Sequence, residues 1–238
     1  MNRVLILKTG NTVQNLLVRG EDFEDWFVSG CGISRDNFDV VELFRGDNLP
    51  DISSYCGIIV TGSPAFVTDR EDWSEHGAEF LRLAVQKNVP LLGVCYGHQL
   101  LAHALGGRVD FHPRGREIGS VDIRLHQAGK TDPLMSGLPA SFTAQVSHSQ
   151  TVVRLPDNAI LLAGNEFDQH QAFRVGTNAW GLQFHPEFSE RVIEAYIRER
   201  RQMLLREGLD PDQLLKQIRP SPQASAILQR FANIVLQS

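Results

Sequence analysis

The sequence predicts an α/β fold, with a mostly parallel central sheet flanked by helices, a small antiparallel layer and a C-terminal helical extension. Three observations lead there. Short apolar runs alternate with longer amphipathic stretches through the first half, the pattern of βαβ units. The middle changes to short, partly alternating runs divided by turn formers. The last stretch, about fifty residues, becomes helical and charged.

The elements follow in order. Val4–Leu7, Phe38–Phe44, Gly57–Thr61 and Pro90–Val94 are rich in Val, Ile or Leu and read as strands buried on both faces. Between them Asp22–Val28 and Glu71–Gln86 have helical spacing, with Trp73, Phe80, Leu81 and Ala84 on one side of the second. Five runs, Val121–Leu125, Phe142–Val146, Ala159–Ala163, Gln171–Val175 and Ala179–Phe184, then extend the sheet or form a smaller antiparallel layer. Ser189–Glu207 reads as one amphipathic helix and Pro211–Ile218 as a second stretch. Ser221-Pro222 starts a last helix through Leu236, with Ser as N-cap and Pro at the first helical position.

Composition narrows the function classes. The 238 residues carry 23 Lys+Arg against 28 Asp+Glu, a formal net charge of −5, so there is no basic footprint for a phosphate backbone and no nucleic-acid partner is expected. No run approaches the ~20 apolar residues of a membrane span, and Val4-Leu5-Ile6-Leu7 is too short for the hydrophobic region of a signal peptide. No membrane partner is expected. Three sparse cysteines, Cys31, Cys56 and Cys95, form neither a disulfide framework nor a CxxC metal site, and a cytoplasmic location is expected.

The chemistry-bearing residues cluster in three motifs. Gly93-Val94-Cys95-Tyr96-Gly97 lies between an apolar run and a helical one, the layout of a nucleophile elbow with Cys in place of Ser. A sharp turn presses its neighbours together and leaves no room for their Cβ atoms, while the following helix N-terminus favours a thiolate. The competing reading is a small buried cysteine between strand-ending glycines. Phe184-His185-Pro186-Glu187 ends another strand, where Glu187 could hold the tautomer of His185 and stabilise its imidazolium. A loop His beside a helix-starting Glu is the alternative. Thr61-Gly62-Ser63-Pro64 follows a third strand and could pair a backbone N–H with that of Tyr96 as an oxyanion hole, or be an ordinary turn. His98 and His103 follow the elbow at helical spacing, but no motif supplies further ligands, so no metal and no cofactor are expected.

Together these segments resemble the class I, triad-type glutamine amidotransferases, most closely the glutaminase domain of GMP synthases and its stand-alone relatives, in motif order and spacing. The resemblance covers residues 1–190 and leaves 191–238 as a helical extension packed on the same domain. It implies a flavodoxin-like glutaminase fold. It also implies that Cys95 attacks a glutamine or γ-glutamyl amide to give a thioester and release ammonia. His185 then acts as base and acid, Glu187 orients it, and Gly62 and Tyr96 supply the oxyanion N–H groups. Gln99, Ser147, His148 and Ser149 fall where relatives hold the amino acid head group, although His148 reads equally as a histidine in a polar turn. Arg116-Glu117 corresponds to a pair with a mainly structural role. Ser63 and Ser149 stand where relatives often have Gly.

No ATP-binding module accompanies these motifs. Three functions therefore stay open: a glutaminase feeding a synthetase subunit, a free-standing hydrolase of γ-glutamyl amides or peptides, and a silent regulatory domain. The intact Cys95, His185 and Glu187 count against the third. The C-terminal helices could dock a synthetase or build a homo-oligomer.

Overall fold

The computed structural model describes residues 3–237. The alternating half runs β1 (Val4–Lys8), a short turn α1 (Gln14–Leu17), α2 (Phe23–Cys31), β2 (Phe38–Glu42), β3 (Gly57–Val60), α3 (Asp72–Gln86), β4 (Leu91–Val94) and α4 (Tyr96–Ala104). Asp22 starts α2 with a capping box: its side chain accepts from the Asp25 N–H, and the Asp25 side chain accepts from the Asp22 N–H. The middle holds β5 (Arg108–Phe111), β6 (Glu117–Leu125), α5 (Gln127–Thr131), β7 (Ser141–His148), β8 (Gln150–Arg154), β9 (Ile160–Gly164), β10 (Ala172–Val175) and β11 (Ala179–Leu182). Four helices close the chain: α6 (Glu190–Glu199), α7 (Arg201–Arg206), α8 (Pro211–Lys216) and α9 (Pro222–Gln237).

Among the described residues nine strands form one sheet in the order β2-β1-β3-β4-β11-β10-β9-β6-β7. The first five are parallel to one another, and the other pairings are antiparallel. The mostly parallel sheet with its flanking helices is thus as the sequence predicts, and the antiparallel runs mainly extend the same sheet. A separate small layer is the β5–β8 ribbon, which the sequence reading omits. Arg-Val-Asp-Phe at β5 alternates with charged residues and gives no buried-strand signal.

Helices cover both faces, and β1 shows how. Side chains alternate across a strand, so Val4 and Ile6 join the apolar cluster that holds Phe27, Trp180 and Phe231, while Leu5 and Leu7 join the one that holds Phe80 and Leu100. The tail belongs to the first cluster: Ile227, Leu228, Phe231 and Val235 of α9 are buried in it, and Phe231 meets Trp180 edge-on at 6.3 Å. Ser225 N–H donates to Ser221 O at the start of α9, where Pro222 is the first helical residue.

Two expected elements differ in extent. Phe38–Phe44 stops as a strand at Glu42, after which Leu43–Arg45 winds into a 3₁₀ turn closed by Gly46 at φ 82°. The single helix over Ser189–Glu207 breaks at Arg200, which separates α6 from α7. Among the described residues no helix is long and apolar enough to cross a membrane.

Candidate active site

Three adjacent parallel strands, β3, β4 and β11, carry the three motifs at their carboxyl ends. Strands in a sheet lie about 4.8 Å apart, so Gly62, Cys95 and His185 converge although up to 123 residues separate them in the chain. This is the edge where α/β sheets assemble their sites.

Cys95 sits between β4 and α4 at φ 53°, ψ −101°, a conformation that costs a non-glycine residue energy and that the surroundings must impose. They do so by close packing. A Cβ on Gly93 would lie 2.4 Å from Gly97 O, and one on Gly97 would lie 2.5 Å from Val60 O. Cys95 N–H donates to Leu182 O at 2.8 Å and Gln99 N–H to Cys95 O at 3.1 Å, tying the turn to β11 and to the first turn of α4.

Opposite the thiol stands His185, within hydrogen-bonding reach of it. Its Nδ1 is 2.7 Å from Glu187 Oε1, so Nδ1–H donates to the carboxylate and Nε2 is left for the sulfur. Phe188 stacks on the imidazole with ring centroids 3.9 Å apart, and His185 N–H donates to Gln145 O at 2.8 Å. Ring plane, tautomer and backbone are therefore all fixed.

The Gly62 loop lies beside this pair. A Cβ at Gly62 would come 3.0 Å from His185 Cε1, and Gly97 N–H donates to Thr61 O at 3.2 Å. Ser63 turns its hydroxyl away, donating to Thr9 O at 2.7 Å and accepting from Ala65 N–H, so it braces the loop. Tyr96 sends its ring into the core, where its hydroxyl meets Ser74 Oγ at 2.6 Å. Only its main chain remains at the elbow.

Gln99, Ser147, His148 and Ser149 line, with Cys95, a cavity of about 260 Å³. Gln99 Nε2 donates to Gln150 O and to Gln183 Oε1, both at 2.9 Å, which leaves its carbonyl oxygen as the atom able to meet a ligand. His148 is buried, with Nδ1 2.9 Å from Gln150 O and Nε2 3.0 Å from Glu117 Oε2. Two acceptors facing the two ring nitrogens require an imidazolium. The other histidines after the elbow diverge: His98 is buried against Phe173, and His103 pairs with Glu75.

Comparison with known proteins fits this geometry. The family model described as Glutamine amidotransferase class-I matches residues 36–202. The chain belongs to the class-I glutamine amidotransferase family. A GMP synthase (glutamine-hydrolyzing) from Porphyromonas gingivalis is 38% identical over 148 residues, which is 61% of this chain and 28% of that protein. Gamma-glutamyl peptidase 3 from Arabidopsis thaliana is 26% identical over 175 residues, 70% of this chain and 69% of that protein. Among solved structures, a glutamine amidotransferase from Thermotoga maritima superposes with a TM-score of 0.79 at 22% identity, covering 100% of this chain and 99% of that one, a likeness of fold. The chain spans 28% to 36% of the length of the GMP synthases from Porphyromonas gingivalis and Thermosipho africanus.

The three cysteines of this family member differ sharply in electrostatics. Burial pushes the Cys31 thiol up to about 12 and the Cys56 thiol upward too. At Cys95 burial acts in the same direction, but facing His185 outweighs it and the thiol falls below its ordinary value. Burial opposes the His185 imidazolium, and the nearby Glu187 and Cys95 overcome it, so its pKa rises. Both shifts act toward a thiolate–imidazolium pair.

Arg116 and Arg200 also line the cavity, and the sequence reading assigned neither of them to the site. Of the Arg116-Glu117 pair, Glu117 does support structure, accepting from Asn165, Gln171 and His148. Arg116 instead reaches the cavity wall and pairs with Glu207 on the tail, 2.8 Å from Nε to Oε2. For Arg200 a signal existed. It follows Ile193, Tyr196 and Ile197 at the spacing of the buried stripe that Leu204 continues, and a charge on an apolar stripe asks for a reason.

Proposed function

We propose that this chain is an amidohydrolase of glutamine and γ-glutamyl amides in which Cys95, His185 and Glu187 form the catalytic triad. The observation that carries the reading is the forced positive-φ turn at Cys95, aimed at a histidine whose far nitrogen is 2.7 Å from a buried carboxylate. The Cys95 thiolate attacks the amide carbon, and the oxyanion forms toward the N–H groups of Gly62 and Tyr96. The His185 imidazolium gives its proton to the leaving nitrogen, the C–N bond breaks, and ammonia departs from a thioester. Water then attacks the thioester with neutral His185 as base, releasing the γ-acid and restoring the thiol. Gln99 O accepts from the ammonium of the amino acid head, and main-chain groups of Ser147, His148 and Ser149 line the rest of it.

Two fates follow for the ammonia or amine. Similarity to glutamine-hydrolyzing GMP synthases over part of their length supports delivery to a synthetase subunit as partner, with residues 191–238 as the added surface. Hydrolysis of γ-glutamyl peptides is supported by the likeness to gamma-glutamyl peptidase 3. A second cavity of about 430 Å³ adds to it, because it shares Phe66, Arg116 and Ser149 with the first and gives room for a substituent on the amide. Purified protein offered glutamine and γ-glutamyl dipeptides tests the reading. Release of ammonia or amine with the matching γ-acid is expected, and no turnover of any of these donors, alone or with a synthetase subunit, would reject it.

The pH profile follows from the signs. Turnover needs the Cys95 thiolate, so the acidic limb of kcat/KM lies below the ordinary thiol range. It also needs the His185 imidazolium, so the alkaline limb lies above the ordinary imidazole range near 6.5. Because Glu187 helps to hold the imidazolium, Glu187→Gln is expected to lower kcat and move the alkaline limb to lower pH. An unmoved limb in Glu187→Gln, measured from pH 5 to pH 10, would contradict the pairing.

A further inference from the structure

We propose that Arg200 is a carboxylate anchor, so that the acyl donor of this site carries a carboxylate which the Arg200 guanidinium receives. The inference deepens the amidohydrolase reading and rests on it. Arg200 lies at the break between α6 and α7, where its partly buried side chain enters the cavity that holds Cys95, Gln99 and His148. Nη1 donates to Ser147 Oγ at 2.7 Å, and the guanidinium lies 4.7 Å from the centre of the Tyr196 ring. A hydroxyl and a ring face orient the group but do not neutralise it.

The carboxylates around it are committed elsewhere. Glu199, the preceding residue, accepts from the Gln14 and Asn15 N–H groups. Arg198 is paired with Glu194, Arg201 with Asp212, and Arg116 with Glu207. Among the described residues no carboxylate is ion-paired with Arg200. A guanidinium offers five N–H donors in a flat fork that fits a carboxylate through two parallel bonds, and leaving a partly buried charge without a counter-ion costs stability. Burial lowers the Arg200 pKa, and the repulsion of Arg116 adds to this against the attraction of Tyr196, Cys95 and Glu199. The cavity thus presents the Arg200 guanidinium as a donor and the Gln99 carbonyl as an acceptor. A zwitterionic or anionic donor matches both.

The carboxylate has two sources: the α-carboxylate of the γ-glutamyl head, near Ser147, or a carboxylate on the leaving amine, toward Arg116 and the second cavity. Four donors separate them: glutamine, glutamine amidated at its α-carboxyl, γ-glutamylglycine, and γ-glutamylglycine amidated at its C-terminus. Arg200→Gln is expected to lose about 10- to 100-fold in kcat/KM, mainly through KM, on donors that carry the anchored carboxylate. Losses under about 2-fold are expected where that group is amidated, and Arg200→Lys should recover part of the loss by keeping the charge. If the anchored group is the α-carboxylate, glutamine is affected and its α-amide spared. If it is on the leaving amine, only γ-glutamylglycine is affected. Equal losses on all four donors would overturn the proposal and leave Arg200 as a packing residue.

Calorimetric binding of the same donors to Cys95→Ser, with and without Arg200→Gln, reads the anchor without turnover. Carboxylates and their amides binding alike, or none binding, would overturn the anchor whatever the activity. Arg200-dependent binding by a wild-type chain that hydrolyses none of the donors would instead keep the anchor and reject the amidohydrolase.

Discussion

Replacing Cys95 by serine is expected to lower ammonia or amine release at least about 10⁴-fold while the protein stays folded. In the proposed mechanism the thiol ionises: facing His185 brings Cys95 below its ordinary pKa although it is only 6% exposed, and Glu187 helps to raise the pKa of the histidine. A serine hydroxyl is far less acidic, so the ground-state ion pair is lost and His185 must take the proton during attack. The oxygen also sits nearer the backbone than sulfur would, and the fixed elbow cannot follow it. Packing is nearly unchanged, so thermal unfolding should shift by only a few degrees. Turnover in Cys95→Ser within tenfold of the wild type, measured on the donor that the wild type hydrolyses best, would remove Cys95 from the mechanism. Cys31 offers no substitute, because burial leaves its thiol protonated up to about pH 12.

Gly97→Ala is expected to cost about 2–4 kcal/mol of stability, read as a fall in Tm of roughly 5–15 °C for a chain of this size. The sign is what tests the structure. Gly97 lies in the first turn of α4, and by helix propensity alone alanine there should gain up to about 1 kcal/mol. The added Cβ, however, would stand 2.5 Å from Val60 O and 2.8 Å from Val60 Cβ. The first of these is backbone of a central strand, so β3 and α4 must separate or the elbow must rotate. Either movement displaces Cys95 from His185, and activity should fall along with stability. Gly208→Ala is the control: its Cβ meets nothing, and only its φ of 79° carries a cost, about 1 kcal/mol. A Gly97→Ala protein as stable as the wild type by calorimetry would mean that helix and strand do not pack as described.

Much of the site was legible because its chemistry is local. Glycines two residues to either side of Cys95 report a tight turn, and the structure shows which atoms make it tight: Gly97 O for Gly93 and Val60 O for Gly97. Glu187 follows His185 by two residues, and one loop suffices to join them. The Arg116-Glu117 pair was only half legible, since Glu117 supports His148 within the sheet whereas Arg116 depends on Glu207, which lies 91 residues further along. β5 stayed hidden because a strand largely exposed on both faces has no hydrophobic period to reveal it.

The sequence by itself determined the α/β class, the buried parallel strands and the strand–turn–helix elbow, because each is encoded within a window of a few neighbours. Only the tertiary structure decided that β11, the last strand, returns to lie parallel beside β4, so that His185 faces Cys95. It also decided that the helix predicted as continuous breaks at Arg200 and turns into the cavity a guanidinium that, among the described residues, has no paired carboxylate. Which charges meet depends on distances across the fold, and a pattern along the chain does not carry those.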